Sequence, residues 1–104
     1  MSEENEVYAV VTIEELRKCV GLTIDEFDED LKSLRDSAVK KLKLSGIVDS
    51  KIKKEDSLIA ETIKAYVRGN YRYTKQDIAT KFLAVFEENK NFMRSTKEYT
   101  QENE

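Results

Sequence analysis

The stretch SLIAETIKAYVRGNYRYTKQDIATKFLAVF, Ser57–Phe86, decides the fold. In its first half Leu58, Ile59, Thr62, Ile63, Tyr66 and Val67 recur as adjacent pairs every four residues. In its second half Ile78, Phe82 and Phe86 recur every four, with Ala79 and Leu83 beside them. A step of three to four puts side chains on one helical face, because a helix turns once per 3.6 residues. The stretch therefore reads as two amphipathic helices joined by Gly69–Thr74, and it supplies the surface on which the remaining helices pack. Asp56 or Ser57 starts the first of them, which ends between Arg68 and Tyr71. Gly69 either ends it or sits in its last turn. Thr74 is placed to cap the second, with Asp77 as partner and Tyr73 and Ile78 as a staple. That helix is expected to reach Asn91 or Met93.

Upstream, two cap signals follow one another. Thr12 caps a short helix from about Ile13 to Val20, with Glu15 as its partner, Val11 and Leu16 as a hydrophobic staple, and Gly21 as terminator. Thr23, Glu26, Leu22 and Phe27 repeat the device and predict a long helix from Ile24 to Ser45. Ile24, Phe27, Leu31, Leu34, Ala38 and Leu42 form its stripe. Acidic residues crowd its start and lysines its end, which suits the helix dipole at about 0.3–1 kcal/mol per well-placed charge. Gly46 ends it, with Ile47 returning to Leu42. Ile47–Glu55 reads as a loop, either pinned to the surface by Ile47, Val48 and Ile52 or projecting as a contact loop with Lys51, Lys53 and Lys54. Met1–Glu6 reads as a frayed acidic arm, Val7–Val11 as an extended approach to the core, and 95–104 as a mobile tail. The expectation is one all-α domain over 1–104, a compact bundle of about four helices with mobile termini.

A chain of 104 residues is the size of one domain and can bury roughly two-thirds of its unfolded surface. Proline is absent and glycine rare, which argues against an all-β fold. A net charge of −3 gives no support to binding nucleic acid by phosphate neutralisation. A single cysteine, Cys19, leaves no internal disulfide and favours a reducing compartment. No apolar run is long enough to span a membrane, and no signal-peptide pattern follows Met1.

Histidine is absent, which removes the commonest general base and metal ligand and excludes any Ser–His or Cys–His nucleophile pair. The glycines are isolated, so no phosphate-cradling loop occurs. Asp25, Glu26, Asp28, Glu29 and Asp30 lack the spacing of a calcium loop and read as a solvated helix start. Cys19 reads as a small buried hydrophobe in preference to a reactive thiol. No cofactor is expected, and no enzyme activity. Tyr66, Arg68, Tyr71, Arg72 and Tyr73 interleave aromatic and cationic side chains. They suit a helix–helix corner, a protein interface anchored by Tyr and Arg, or stacking on nucleic acid. With Ile52 and Lys53 of the loop they are the candidate interface residues.

Three segments, taken in order, resemble the small head–tail connector proteins of tailed bacteriophages and prophages, also called head-completion or DNA-packaging adaptor proteins. They are Tyr8–Leu16, with its V-T-x-E-E-L pattern, Asp56–Tyr71, with I-x-x-Y-V-x-x-N-Y, and Ala79–Tyr99, ending in Ser95–Tyr99. Arg72 stands where that family often has glycine, and Lys75 and Gln76 where it often has Asn-Pro. The resemblance implies a structural subunit, made in the bacterial host cytoplasm and housed in the virion at the head–tail junction. Its partners would be further copies of itself in a ring (dodecamer-like if it follows the portal), the portal protein, and a downstream stopper or tail connector protein. DNA would pass through the channel without specific recognition, and no membrane would be involved. The alternative reading from the residues is a small helical DNA-binding transcriptional regulator, because the Thr12–Val20 helix, the Gly21 turn and the next helix loosely mimic a helix-turn-helix. Five acidic residues at the start of that second helix weigh against it.

Overall fold

A computed structural model describes residues 11–53 and 56–101; the arm and approach expected over 1–10, and residues 54–55 and 102–104, lie outside the described residues. Among the described residues the chain forms six helices and no strand: α1 Ile13–Cys19, α2 Asp28–Leu44, α3 Asp49–Lys53, α4 Ser57–Asn70, α5 Gln76–Arg94 and α6 Lys97–Thr100. The all-α expectation holds. Six helices stand where about four were expected: the short first helix, the long second and the helical pair are joined by two further short helices, α3 and α6.

α4 is the centre. Ile59, Thr62, Ile63, Ala65, Val67 and Gly69 are all buried, more than one stripe can account for, so α4 is covered from several directions. α5 packs most heavily on it and α2 next, while α2 and α5 hardly touch each other. α5 runs antiparallel to α4: Gly69, near the end of α4, approaches Leu83 and Ala79 in the first turns of α5. α2 is antiparallel to α4 as well. Its start is tied to the end of α4 by Asp30–Arg72 at 2.7 Å. Beyond its C-terminal end the Val48 N–H donates to the Tyr99 carbonyl, and Tyr99 reaches Asp56 at the start of α4. The three long helices form a layer, α2–α4–α5, whose two outer members run parallel. α1 packs across α2 and α4. The outline is flat, 41 × 34 × 19 Å.

Several local expectations are met in atomic detail. The Glu15 N–H donates to the Thr12 hydroxyl at 3.2 Å, and Val11 and Leu16 are both fully buried. α1 and α2 close in the same way. Gly21 and Gly46 adopt φ of +80° and +104°. The following residues fold back, Leu22 N to Arg17 O at 2.8 Å and Ile47 N to Leu42 O at 3.1 Å. These are the bonds that occupy the last free carbonyls of a helix, and a Cβ at either glycine would be strained. Asp56 caps α4 by accepting from the Ile59 N–H at 3.0 Å.

Other expectations are corrected. α2 begins at Asp28, not Ile24, with Phe27 at the cap position and no side-chain cap. Residues 24–27 form turns instead, because tertiary contacts outweigh the Thr23–Glu26 signal. The Phe27 ring packs edge-on against Tyr71 and Tyr73, at 6.4 and 5.8 Å between centroids. Asp28 is gripped by a two-pronged Arg17 contact at 2.8 and 2.5 Å, and that hydrogen-bonded pairing holds its carboxyl below the usual range. Ile24 consequently leaves the stripe and is exposed. Thr74 does not cap α5; its N–H closes a turn onto the Tyr71 carbonyl at 3.0 Å, and α5 starts after Lys75. The buried stripe of α5 is Ala79, Phe86 and Met93, not Ile78.

The expected 47–55 loop contains α3, held by Asp49 between Lys43 and Lys53 at 3.0 and 2.9 Å. The expected mobile tail is packed as far as Gln101: α6 buries Tyr99, whose hydroxyl lies 3.0 and 3.2 Å from the two Asp56 carboxylate oxygens and donates to that group.

Candidate interaction surface

The corner residues adjacent in sequence are divided by the fold. Tyr71 is buried. Tyr66 is half-buried, its ring 4.9 Å from Phe86. Arg68 lies over the Phe82 ring at 4.4 Å, an attractive cation–π placement. Arg72 points to solvent and pairs with Asp30, and no described non-glycine residue has positive φ, so arginine sits without strain where the resembling family often has glycine. Tyr73 is 65% exposed. Ile52 is wholly buried and belongs to the core, since α3 turns it inward; Lys53 is exposed and pairs with Asp49. Ile52 is therefore withdrawn from any contact surface. The remaining exposed members are Arg68, Arg72, Tyr73 and Lys53.

What the fold does bring together is an open cleft of about 520 Å³ where the end of α1 meets the end of α4 and the start of α5. Lys18, Arg68 and Lys75 supply its charge, Tyr73, Ile78 and Phe82 its apolar wall, and no carboxylate lines it. A second groove, lined in part by Lys64, Arg68, Phe82 and Val85, shares two residues with it and continues between α4 and α5. The apolar edge extends further. Ile78, Val85 and Phe92 are 42%, 41% and 57% exposed. Each precedes a member of the buried stripe by one residue, about 100° round the helix. This offset pattern is visible in the sequence, since heptad-spaced apolar residues stand beside a second heptad-spaced set. Lys18, Cys19 and Lys75 carried no local signal, because they converge only through the crossing of three helices.

Cys19 lines the same cleft. Burial pushes its thiol above the ordinary value, and the nearby positive charges of Arg68 and Lys64 offset this only in part. At neutral pH a disulfide reagent should therefore label Cys19 more slowly than a free thiol, because less of it is thiolate. Labelling at or above the free-thiol rate would show that the cleft activates it.

Among the described residues no three His, Cys, Asp or Glu side chains cluster to hold a metal ion, and no helix is long and apolar enough to cross a membrane. The two grooves set cations around apolar side chains, with Glu61 as a carboxylate on the second. Comparison with protein-family models, with curated proteins and with solved structures finds no match for this chain.

Proposed function

We propose that this chain is a ring-forming structural subunit of the connector between head and tail of a tailed bacteriophage or prophage. It works without catalysis, beneath the portal, extending the DNA channel and offering a surface to a downstream stopper or tail protein. The observation that carries this reading is the layer α2–α4–α5, a flat slab with two unlike outer helices. Two different edges are what a head-to-tail contact between identical copies requires, and such contacts make a ring when the rotation between copies closes. The chain-wide order of the V-T-x-E-E-L, I-x-x-Y-V-x-x-N-Y and Ser95–Tyr99 segments supports it. A net acidic chain is also compatible with a channel wall along which DNA slides. The regulator reading gains nothing from the fold, since α2 opens with Asp28, Glu29 and Asp30, which a DNA phosphate would repel.

Native mass spectrometry across a concentration series, with negative-stain images of the largest species, tests the proposal. A single closed oligomer with a central hole is expected, alone or on addition of purified portal. A tight dimer that shifts with operator-like duplex DNA would replace this reading with the regulator.

A further inference from the structure

The helix layer has two grooves on the face that carries α1. α1 packs across α2 and α4 and fills the first, burying Leu16. Its last residues, Lys18 and Cys19, line one cleft with Arg68 of α4 and Phe82 of α5, so the α4–α5 groove opens on the same face, beside α1. Among the described residues no helix fills that second groove, and Val85 on its α5 wall is 41% exposed. Ala65, small and buried, lies at its base.

The α5 wall has the spacing of a helix-receiving seam. Ile78, Phe82, Val85, Asn89 and Phe92 follow one another by four, three, four and three residues. The stripe Ala79, Phe86 and Met93, which faces the chain's own core, lies about 100° round the helix. Ile78 and Phe92 are exposed, and the line between them is about 21 Å long. Apolar side chains scattered singly on a surface need no partner, whereas a line of them beside a groove marks a contact. The charge is one-sided. Lys18, Lys64, Arg68 and Lys75 line the two connected hollows against one carboxylate, Glu61, two turns down α4 from Arg68. Among the described residues none of the four cations is in an ion pair. Phe27 packs on Tyr73 at the basic end, which brings Asp25 and Glu26 near that end, but neither lines the cleft.

We infer that the α4–α5 groove docks one helix of another protein, an amphipathic segment of about two to four turns with apolar side chains at steps of three and four and carboxylates at the end against Lys18, Arg68 and Lys75. The first groove shows the fit: it already holds a helix of two turns, α1. Nucleic acid suits the groove less well, because phosphates would meet the cations and leave the line from Ile78 to Phe92 uncovered. The inference goes beyond the ring reading and needs only the single chain, so each can fail without the other.

The probes are two labelled synthetic helices about four turns long, with leucine at i, i+4, i+7 and i+11 and glutamates in the first turn of one and the last turn of the other. A control peptide has the same composition with its leucines scattered round the helix. Binding to the full chain is read by fluorescence anisotropy, and the variants are checked for helicity by circular dichroism. One of the two probes should bind saturably and shift the amide resonances of Ala65, Phe82 and Val85. Val85→Asp, and Lys18→Glu with Lys75→Glu, should each weaken binding at least about tenfold; all three positions are exposed. Leu44→Asp, on exposed α2 surface, should leave it unchanged. Failure of both probes to bind would overturn the inference, as would equal binding to Val85→Asp. A control peptide that binds as tightly, or duplex DNA that displaces the probe, would reduce the groove to a general anion-attracting surface. A wild-type chain that self-associates, and that Val85→Asp returns to monomer, would assign the groove to a second copy and overturn the partner helix.

Discussion

Tyr99→Ala is expected to destabilise the protein by about 3–5 kcal/mol, the range for truncating a buried aromatic side chain. The residue is 6% exposed. Its hydroxyl reaches the carboxylate that caps α4, and its carbonyl accepts from Val48. Removing the ring opens a cavity and leaves α6 without an anchor. Tyr99→Phe keeps the ring and loses only the hydrogen bond to a charged acceptor, so about 1.5–3 kcal/mol is expected. The two variants also differ from the wild type in base. Burial, with the Asp56 hydrogen bond second, pushes the Tyr99 phenol up to about 12. A tyrosine in the unfolded chain titrates near 10. The folded state thus holds the proton more tightly. The resulting stability is fully present below about pH 10 and is lost as pH rises from there through about 12. Urea unfolding of the wild type should weaken over that window, and Tyr99→Phe should lack this component of the slope. An identical alkaline slope in both proteins would refute the assignment to Tyr99.

Gly69→Val is expected to cost about 3 kcal/mol, the upper part of the range for overpacking a filled crossing. A Cβ built at Gly69 falls 2.6 Å from both Cγ and Cδ2 of Leu83, and 3.3 Å from the Ala79 carbonyl oxygen. Two helices cross here with no room for a side chain. Gly69→Ala is the instructive smaller change. It gains about 1 kcal/mol from helix propensity and loses about 1–3 kcal/mol to overpacking, so a modest net destabilisation is expected. Leu83→Ala removes the colliding atoms. A double-mutant cycle by urea unfolding should show coupling of about 1–2 kcal/mol in favour of the pair. Should Gly69→Ala alone stabilise by the full propensity term, Leu83 has room to move aside and the crossing is not close-packed at Gly69.

The legible parts of this fold are those set by neighbours in sequence. Thr12 with Glu15, Asp56 before Leu58, and Gly21 and Gly46 after their helices each act within five residues, and each does what its chemistry dictates. The failures share a cause. Phe27 abandons a local cap because two tyrosines more than forty positions away offer it a ring-edge contact. Ile52 and Tyr99 sit in polar surroundings that read as loop and tail, yet each is a single apolar anchor that pins a short helix. One residue in a run of charges carries no periodicity, so it can mark a pinned segment, as Ile52 does, but not the short helix it belongs to. The same holds for the cleft. Tyr66, Arg68, Tyr71, Arg72 and Tyr73 were conspicuous because they are contiguous. The fold spends Tyr71 on the core and brings Lys18 from α1 and Lys75 from the cap of α5 to stand beside Arg68.

The antiparallel pairing of α4 and α5 across the short 71–75 link has a kinetic consequence. Contacts between segments so close along the chain cost little loop-closure entropy, so this hairpin is expected to form before α2 docks on it. The Tyr99–Asp56 bond closes a span of 43 residues and needs α4 already in place. It should be the last long-range contact made and the first to open. Native-state amide exchange should therefore show α6 and the Val48 amide released at free energies well below the global value, while amides in the middle of α4 exchange only on complete unfolding.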